Sequence, residues 1–392
     1  MTDSEQKIER GLELVEQWVE RHDYRGYEPF DGLTSYLYSL TFKNRLACQV
    51  LQQGIRRFPI NLRPLLGIRP LDSTKGRGYM AWGYLDRYRL NRDPKYQEKA
   101  ISCLHWLDRN KSALYLQHSW GNHFFYASRS GFIGKHESTI VWTGLIGQVF
   151  LEAYELFHLP RHREIIESIA EWIMALPRQQ AAKGFCLSYV MPRQSSIHNS
   201  NMIGASFLAG AAGVTKNAQY LEVARRAMEF SCSSQLPNGA WYYGEDPMFH
   251  WIDVFHTGYN LDSLKRYIKF SHDSSFDENL DRGFAHFRDS YFEPSGRVKY
   301  YFNRTSPVDI QCASQAIDTL LLFSDVAPEG LAAAERTACW YAEHMQAKDG
   351  HFFFRKYPCG ISNKAPMIHW GQATMHKALA NLMLHLQVKG AA

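Results

Sequence analysis

Two kinds of helical pattern alternate along the chain. In the first, over 216–230, Leu221, Ala224 and Met228 recur at i, i+3 and i+7, while Glu222, Arg225, Arg226 and Glu229 take the opposite side. That spacing predicts a helix with one buried stripe and a solvated back. The second kind is shown by 202–213 (MIGASFLAGAAG), which carries no charge on any face. A helix that is apolar all round has to be covered all round, and its small residues let neighbouring helices approach closely. Outward-facing helices are predicted near 4–22, 94–110, 161–177, 217–234, 276–292 and 328–346. Fully covered helices are predicted to start near Thr74, Ser138, Asn199, Asp253, Ser306 and His369.

Short glycine–aromatic segments punctuate this alternation: GNHFFYAS, GFCLSYV, NGAWYYGED, SGRVKYYF and DGHFFFRKY. Their glycines (Gly121, Gly184, Gly239, Gly296, Gly350) are 63, 55, 57 and 54 residues apart. A period this regular marks a repeat built from one helix pair per unit. Twelve alternating helices of this kind close into an all-α (α/α)6 toroid, one domain over 1–392. The segment at about 24–70 exceeds what one helix hairpin needs and is expected to add a partial helix and a loop over one end.

Composition narrows the setting. The 392 residues are 45% hydrophobic and 21% charged, with 10 Trp, 22 Tyr and 23 Phe, which excludes disorder and coiled coil. A net charge of +5 is spread along the chain, and its densest basic stretch, 56–69, has apolar residues between its charges and no nucleic-acid motif. Nucleic acid is therefore not an expected partner, whereas a mild positive field suits an acidic glycan. The seven cysteines are dispersed and form no CxxC pair, so neither a disulfide framework nor a zinc ribbon is expected, and a reducing compartment is. No apolar run reaches the roughly 20 residues of a membrane span. The expected location is accordingly cytoplasmic, without membrane insertion.

In such a toroid the covered helices all run one way, so their first turns gather at one mouth, where unpaired N–H groups favour polar or anionic ligands. The residues at these starts are mostly polar: Lys75 and Arg77, His136 and Glu137, His198, Asn199 and Asn201, Asp253, His256, Tyr259 and Asn260, Asp309 and Gln311, and His369, Trp370 and Gln372. Asp253, His256 and Asn260 fall on one helical face at i, i+3 and i+7 beside Trp251, which makes them the leading catalytic group. Asp31 before Gly32 also reads as a turn residue, and Asp309 as part of a cap begun by Ser306. Trp241, Tyr242, Tyr300 and Arg304, with the amides, are expected to hold a sugar at the rim. No Walker A or GxGxxG is present, and no cofactor or metal is expected.

Several motifs carry a resemblance: Tyr24-Arg-Gly-Tyr-Glu-Pro-Phe-Asp-Gly32, Gly239-Ala-Trp-Tyr-Tyr-Gly-Glu-Asp246, Trp251-Ile-Asp-Val-Phe-His-Thr-Gly-Tyr-Asn-Leu261, Asp309-Ile-Gln311 and Trp370-Gly-Gln-Ala373. Together they resemble bacterial and archaeal six-hairpin toroid proteins of surface-polysaccharide biosynthesis. The resemblance implies a glycan context and the company of polysaccharide-synthesis proteins. It is similar in outline to six-hairpin glycosidases, polysaccharide lyases and the helical domains of uronyl C5-epimerases. Gln235-Leu-Pro-Asn-Gly-Ala-Trp241 looks like the Gln-Trp repeat of terpenoid cyclases, but their DxDD and DDxxD motifs are absent. Asp309-Ile-Gln-Cys312 with His369 has one residue too many for a prenyltransferase zinc pair.

The functional expectation is a carbohydrate-active enzyme on an acidic glycan. Hydrolysis by paired carboxylates, drawn from Asp31, Asp253 and Asp309, is placed slightly ahead. The alternatives are a uronate lyase or C5-epimerase working through His256 and Tyr259 with Asn199, Gln311 and Arg304 on the sugar carboxylate. A sugar 2-epimerase or isomerase would draw paired histidines from His198, His256 and His369. A glycan-binding scaffold without turnover is the reading outside catalysis.

Overall fold

A computed structural model describes residues 2–129 and 131–391. Its helices, in chain order, are α1 (Asp3–Arg21), α2 (Arg45–Arg57), α3 (Thr74–Asn91), α4 (Pro94–Arg109), α5 (Ile140–Phe157), α6 (Pro160–Met174) and α7 (His198–Thr215). There follow α8 (Ala218–Ser233), α9 (Val254–Ser271), α10 (Asp277–Tyr291), α11 (Ile310–Leu322), α12 (Glu329–Met345) and α13 (Thr374–Ala391), the last entered through a π-helical turn at Ile368–Ala373. Leaving out α2, they alternate outer and inner. Each of α3, α5, α7, α9, α11 and α13 packs on the next, and α13 returns to α3, closing the inner ring. The fold is an (α/α)6 toroid.

Local chemistry sets the helix ends. Side-chain caps from Thr2, Ser73, Asp93, Thr139, Asn217, Asp253 and Asp309 accept backbone N–H groups in the first turns of α1, α3, α4, α5, α8, α9 and α11. Asp309, rather than Ser306, caps α11. At the other end of the barrel, Arg92, His158, Lys216 and His272 terminate α3, α5, α7 and α9 in the left-handed conformation, each N–H returning to the carbonyl four residues back. Every inner-to-outer connection of this kind is thereby reduced to a few residues.

The outer-to-inner connections carry the repeat glycines, and the reason for glycine is visible. A Cβ on Gly184 would lie 2.0 Å from the Arg226 carbonyl of α8, and one on Gly239 would lie 2.2 Å from the Arg282 carbonyl of α10. Gly296 presses in the same way on Arg336 of α12, and Gly350 on Leu14 of α1. All four have positive φ. Each turn therefore rests on the next outer helix, and the last closes the outer ring on the first. Gly121 departs from the series and lies against the Glu137 carbonyl instead.

The segment between α1 and α3 folds as two 3-10 turns, Asp31–Thr34 and Tyr36–Thr41, and then α2. The buried face of α2 is Cys48, Gln52 and Ile55. Gln52 clamps the backbone of Ala127 through both its amide atoms, 3.1 Å each, which docks α2 on the antiparallel pair Tyr126–Ser128 and Gly131–Ile133.

Gly239→Ala is expected to destabilise the fold by more than about 2 kcal/mol, from the left-handed backbone and the carbonyl it would strike. Gly213→Ala, exposed near the end of α7 with open space around it, should be neutral or stabilising by up to about 1 kcal/mol. Urea unfolding of the two variants beside the parent checks both.

Candidate functional site: the mouth of the toroid

A small cavity of about 20 Å³ lies on the barrel axis, since all six inner helices contribute to its wall, among them Tyr79, Gln148, Ser206, Tyr259, Gln315 and Lys377. Residues one turn nearer the helix N-termini on the same faces lie at the mouth above it. These are Lys75 on α3, Asn199 on α7, Phe255 and His256 on α9, and Gln311 on α11. The floor between mouth and cavity is polar: the Tyr79 and Tyr259 hydroxyls are 3.2 Å apart, and Gln311 Nε2 donates to the Tyr259 hydroxyl at 3.0 Å.

Neighbour contacts trace a closed ring around this mouth. His256 lies 6.4 Å from the Tyr259 ring, and the Lys75 ammonium sits 5.6 Å from Tyr259 and 4.8 Å from Trp142. Trp142 is 5.3 Å from His369, His369 is 5.9 Å from Trp370, Trp370 is 5.2 Å from Phe255, and Phe255 is 4.2 Å from His256. Two histidines thus occupy one aromatic ring on separate helices, each held by a buried carboxylate. His256 Nδ1 lies 2.7 Å from Asp253 Oδ2, while Asp253 Oδ1 accepts the His256 backbone N–H at 2.9 Å. Trp251 Nε1 also donates to Asp253, at 3.2 Å. His369 Nδ1 is paired with Glu28, and burial keeps this imidazole below the ordinary histidine range despite the carboxylate. Both arrangements hold the ring through Nδ1 and leave Nε2 without a hydrogen-bond partner among the described residues.

Two cations complete the mouth. Lys75 is buried, makes no ion pair among the described residues, and burial lowers its pKa to about 8, with the Glu28 charge opposing that shift. Arg56 reaches in from α2, its guanidinium 4.6 Å from Phe30 and 5.2 Å from Trp370, and burial lowers its pKa too. It has no carboxylate partner among the described residues. His123 beside Phe124 is depressed to about 4 by burial, and its Nε2 is unpaired. Asn199 Oδ1, Asn260 Oδ1, Gln311 Oε1 and Glu28 Oε1 are likewise buried without partners. Unmet polar atoms of this number need a ligand or water to satisfy them.

The other residues expected at the site take several places. Asp309 is fully buried and its carboxylate is occupied: Oδ2 accepts from Arg355 Nε at 2.5 Å, and Oδ1 from Trp370 Nε1 and the Gln311 N–H, both at 2.9 Å. Asp31 is equally enclosed, 2.9 Å from Arg63 Nε through both oxygens, with burial raising its pKa. These two carboxylates anchor the wall rather than face the mouth. Tyr259 is held protonated by burial. Asn201 donates to Ala227 O and accepts from Leu187 N, and Gln372 bonds both backbone groups of Phe352, so each ties an inner helix to its surroundings. Trp241 is core, its indole donating to Ser231 O. Tyr242 stacks on His250 at 4.2 Å, while its neighbour Tyr243 stands 4.6 Å from His256. Tyr300 packs 5.7 Å from Phe255, and Arg304 is exposed. His198 is enclosed between Ser231 and Glu245. Glu28, Arg56, Trp142, His123 and Tyr243 escaped the search for polar helix starts because none of them lies on a polar first turn.

A closed double ring of helices with a polar mouth at the inner N-termini defines the class, a six-hairpin toroid. No protein-family model matches the chain, and no curated protein does. Solved structures do share the fold. An unsaturated glucuronyl hydrolase specific for heparin superposes with a TM-score of 0.63 at 12% identity, covering 99% of this chain and 98% of that one. Cellobiose 2-epimerase from Spirochaeta thermophila gives 0.64 at 10% identity, covering 81% and 87%. A family 76 α-mannanase from Bacteroides thetaiotaomicron gives 0.59 at 9% identity, covering 81% and 87%.

Lys75→Met is expected to stabilise the protein at pH 7, by on the order of 2 kcal/mol, while impairing whatever the mouth binds. The folded lysine gives up its proton near pH 8, whereas the unfolded one does so near the ordinary lysine value of 10.5. Between those values the unfolded chain binds more protons, so the parent gains stability as pH rises, and the variant should lack that gain. Asp309→Ala should cost about 3–5 kcal/mol by stranding Arg355, visible as a fall in the denaturation midpoint.

Proposed function

We propose that the chain is a carbohydrate-active enzyme whose chemistry is proton transfer at a sugar carbon, with His256 and His369 as the acid–base pair. The observation that carries this is the pair of histidines held through Nδ1 by Asp253 and Glu28 on one ring, each with Nε2 unpartnered among the described residues. A carboxylate on Nδ1 sets the tautomer and supports the imidazolium that forms during transfer. One Nε2 removes the proton beside a sugar carbonyl. The charge that develops on oxygen meets the Lys75 ammonium, which forms an ion pair with no carboxylate among the described residues. The second histidine returns a proton, either to the opposite face of the same carbon, or to the former carbonyl carbon while the proton of the neighbouring hydroxyl passes to the former carbonyl oxygen. The first outcome is epimerisation and the second is isomerisation.

The aromatic walls, Trp142, Phe255 and Trp370, suit the faces of a sugar ring, and the unpaired amide oxygens of Asn199, Asn260 and Gln311 suit its hydroxyls. Arg56 suits an acidic substituent. The occurrence of the same fold in a cellobiose 2-epimerase supports the reading by analogy only. Within it the whole chain acts as one domain, in the cytoplasm, in the assembly or turnover of a surface polysaccharide.

Glycoside hydrolysis is the second reading, favoured by the full-length likeness to the glucuronyl hydrolase. It needs two carboxylates facing the bond. Asp31 and Asp309 are engaged by Arg63 and Arg355, and Asp253 and Glu28 are held on histidines. Asp262 and Asp318 line the cavity below, the first bonded to Gln315 and Thr319 and the second to Lys377.

Incubation of a panel of mono- and oligosaccharides in D2O, read by NMR and mass spectrometry, tests the proposal. The expected product has the mass of the substrate apart from deuterium at one carbon. His256→Asn and His369→Asn should each slow its formation by about 10²–10⁴-fold with little change in sugar binding. Because His369 must be neutral to accept a proton and burial lowers its pKa, activity should persist below the ~6.5 of a free imidazole. Products that gain water would establish the hydrolase instead, and loss of water at a new chain end a lyase. Binding without turnover would make the protein a scaffold.

A further inference from the structure

The segment that supplies Glu28, Phe30 and Arg56 to the mouth has an outer surface that the reaction does not use. Of the sixteen large apolar residues exposed among those described, eight fall between Tyr36 and Leu65. Phe42 is 89% exposed and Leu65 74%, and Leu40, Leu46, Val50 and Ile60 are each more than half exposed. On α2, Leu46, Val50 and Arg57 form a stripe opposite the buried face of Cys48, Gln52 and Ile55. The neighbouring turns are fastened to one another: Tyr36 donates to Leu65 O at 3.2 Å, and Asn363 to Phe58 O at 2.9 Å.

Charge on this segment is one-sided. From Gly32 to Leu71 there is no Asp or Glu, against six Lys and Arg. Arg63 is consumed by Asp31, and Arg56 enters the mouth. Lys43, Arg45, Arg57 and Arg69 remain exposed, with no ion-pair partner among the described residues. Elsewhere the surface is laced with mixed charges, as at Lys7–Glu343 and Arg161–Glu164. Exposed apolar side chains interspersed with unpaired cations, and no anions, are the composition of an interfacial segment. Apolar tips enter the acyl boundary while Lys and Arg stay at the headgroups.

We propose that this face, centred on Phe42 and the outer stripe of α2, docks peripherally on an anionic lipid bilayer. The apolar residues are spread over the 3-10 turns Tyr36–Thr41 and Pro64–Leu66, a helix and a loop rather than lining one groove, which suits a soft surface entered at several points. Arg57 lies on this face while the preceding Arg56 reaches the mouth, so docking would bring the mouth to the lipid surface. The inference rests on this surface alone and is independent of the reaction.

Flotation of the full chain with vesicles tests it, using phosphatidylcholine containing about 30% phosphatidylglycerol beside pure phosphatidylcholine, at about 50 mM and about 500 mM salt. Expected is binding to the anionic vesicles at low salt, weakened by at least about tenfold at high salt. The double variants Lys43→Glu/Arg45→Glu and Phe42→Ser/Leu46→Ser should each weaken it to a similar degree. Circular dichroism melts identify any variant that has lost its fold, and the other pair then decides. Failure to float at low salt, or flotation retained by both folded variants, overturns the proposal. So does sedimentation equilibrium showing that the face joins two copies of the chain and that only the monomeric variants bind vesicles.

Discussion

The close approach of a glycine turn to the backbone of the next outer helix is the constraint on which the rest of the toroid depends. At Gly184, Gly239, Gly296 and Gly350 the chain passes so near a helix carbonyl that no side chain fits. These contacts set the spacing between successive helix pairs. Because the last falls on Leu14 of α1, they also close the ring. Gln235 and Gln346 reinforce two of the turns in the same way, each donating to the turn glycine's carbonyl and to the backbone of the next outer helix. The period seen along the chain is thus the footprint of one packing contact repeated around a circle.

A second constraint concerns charge. Closing six helices around an axis puts polar first turns where water is scarce, and unpaired charge there is expensive. The protein meets this in two ways. Asp31 and Asp309 are neutralised by Arg63 and Arg355 and become part of the wall, with Asp309 joining α11, Arg355 and the Trp370 indole. Lys75 and Arg56 have no ion-pair partner, and the amide oxygens no hydrogen bond, among the described residues. The first group stabilises the mouth and the second leaves it in need of a ligand, which is the stability–function tension seen when a site is built into a core.

Hydrophobic patterning made much of this legible. Helices apolar on every face identified the inner ring, and the Asp253–His256 spacing identified one end of the site, because both follow from position along a single helix. The other end was obscured. Glu28 lies in an irregular segment before Asp31, and its role comes from His369, more than three hundred residues later. Arg56 reads as one more cation in a basic stretch, and only the docking of α2 on Ala127 turns it toward Trp370. Conversely, Asp309, Gln372 and Trp241 stand where site residues were expected, yet their polar groups are taken up by Arg355, Phe352 and Ser231. Residue type and position do not distinguish a polar group facing a cavity from one facing a partner.

The sequence by itself therefore determined the repeat, the alternation of inner and outer helices, the all-α toroid and the polar character of its mouth. All of these depend on periodicity and on steric needs local to a turn. Only the tertiary structure decided which carboxylates are neutralised, that His256 and His369 are each held through Nδ1 by a carboxylate on one ring, and that the segment before α3 supplies a partner and a cation to it. Each of those depends on residues from distant segments meeting in space, where burial and pairing, rather than identity, set what a side chain can do.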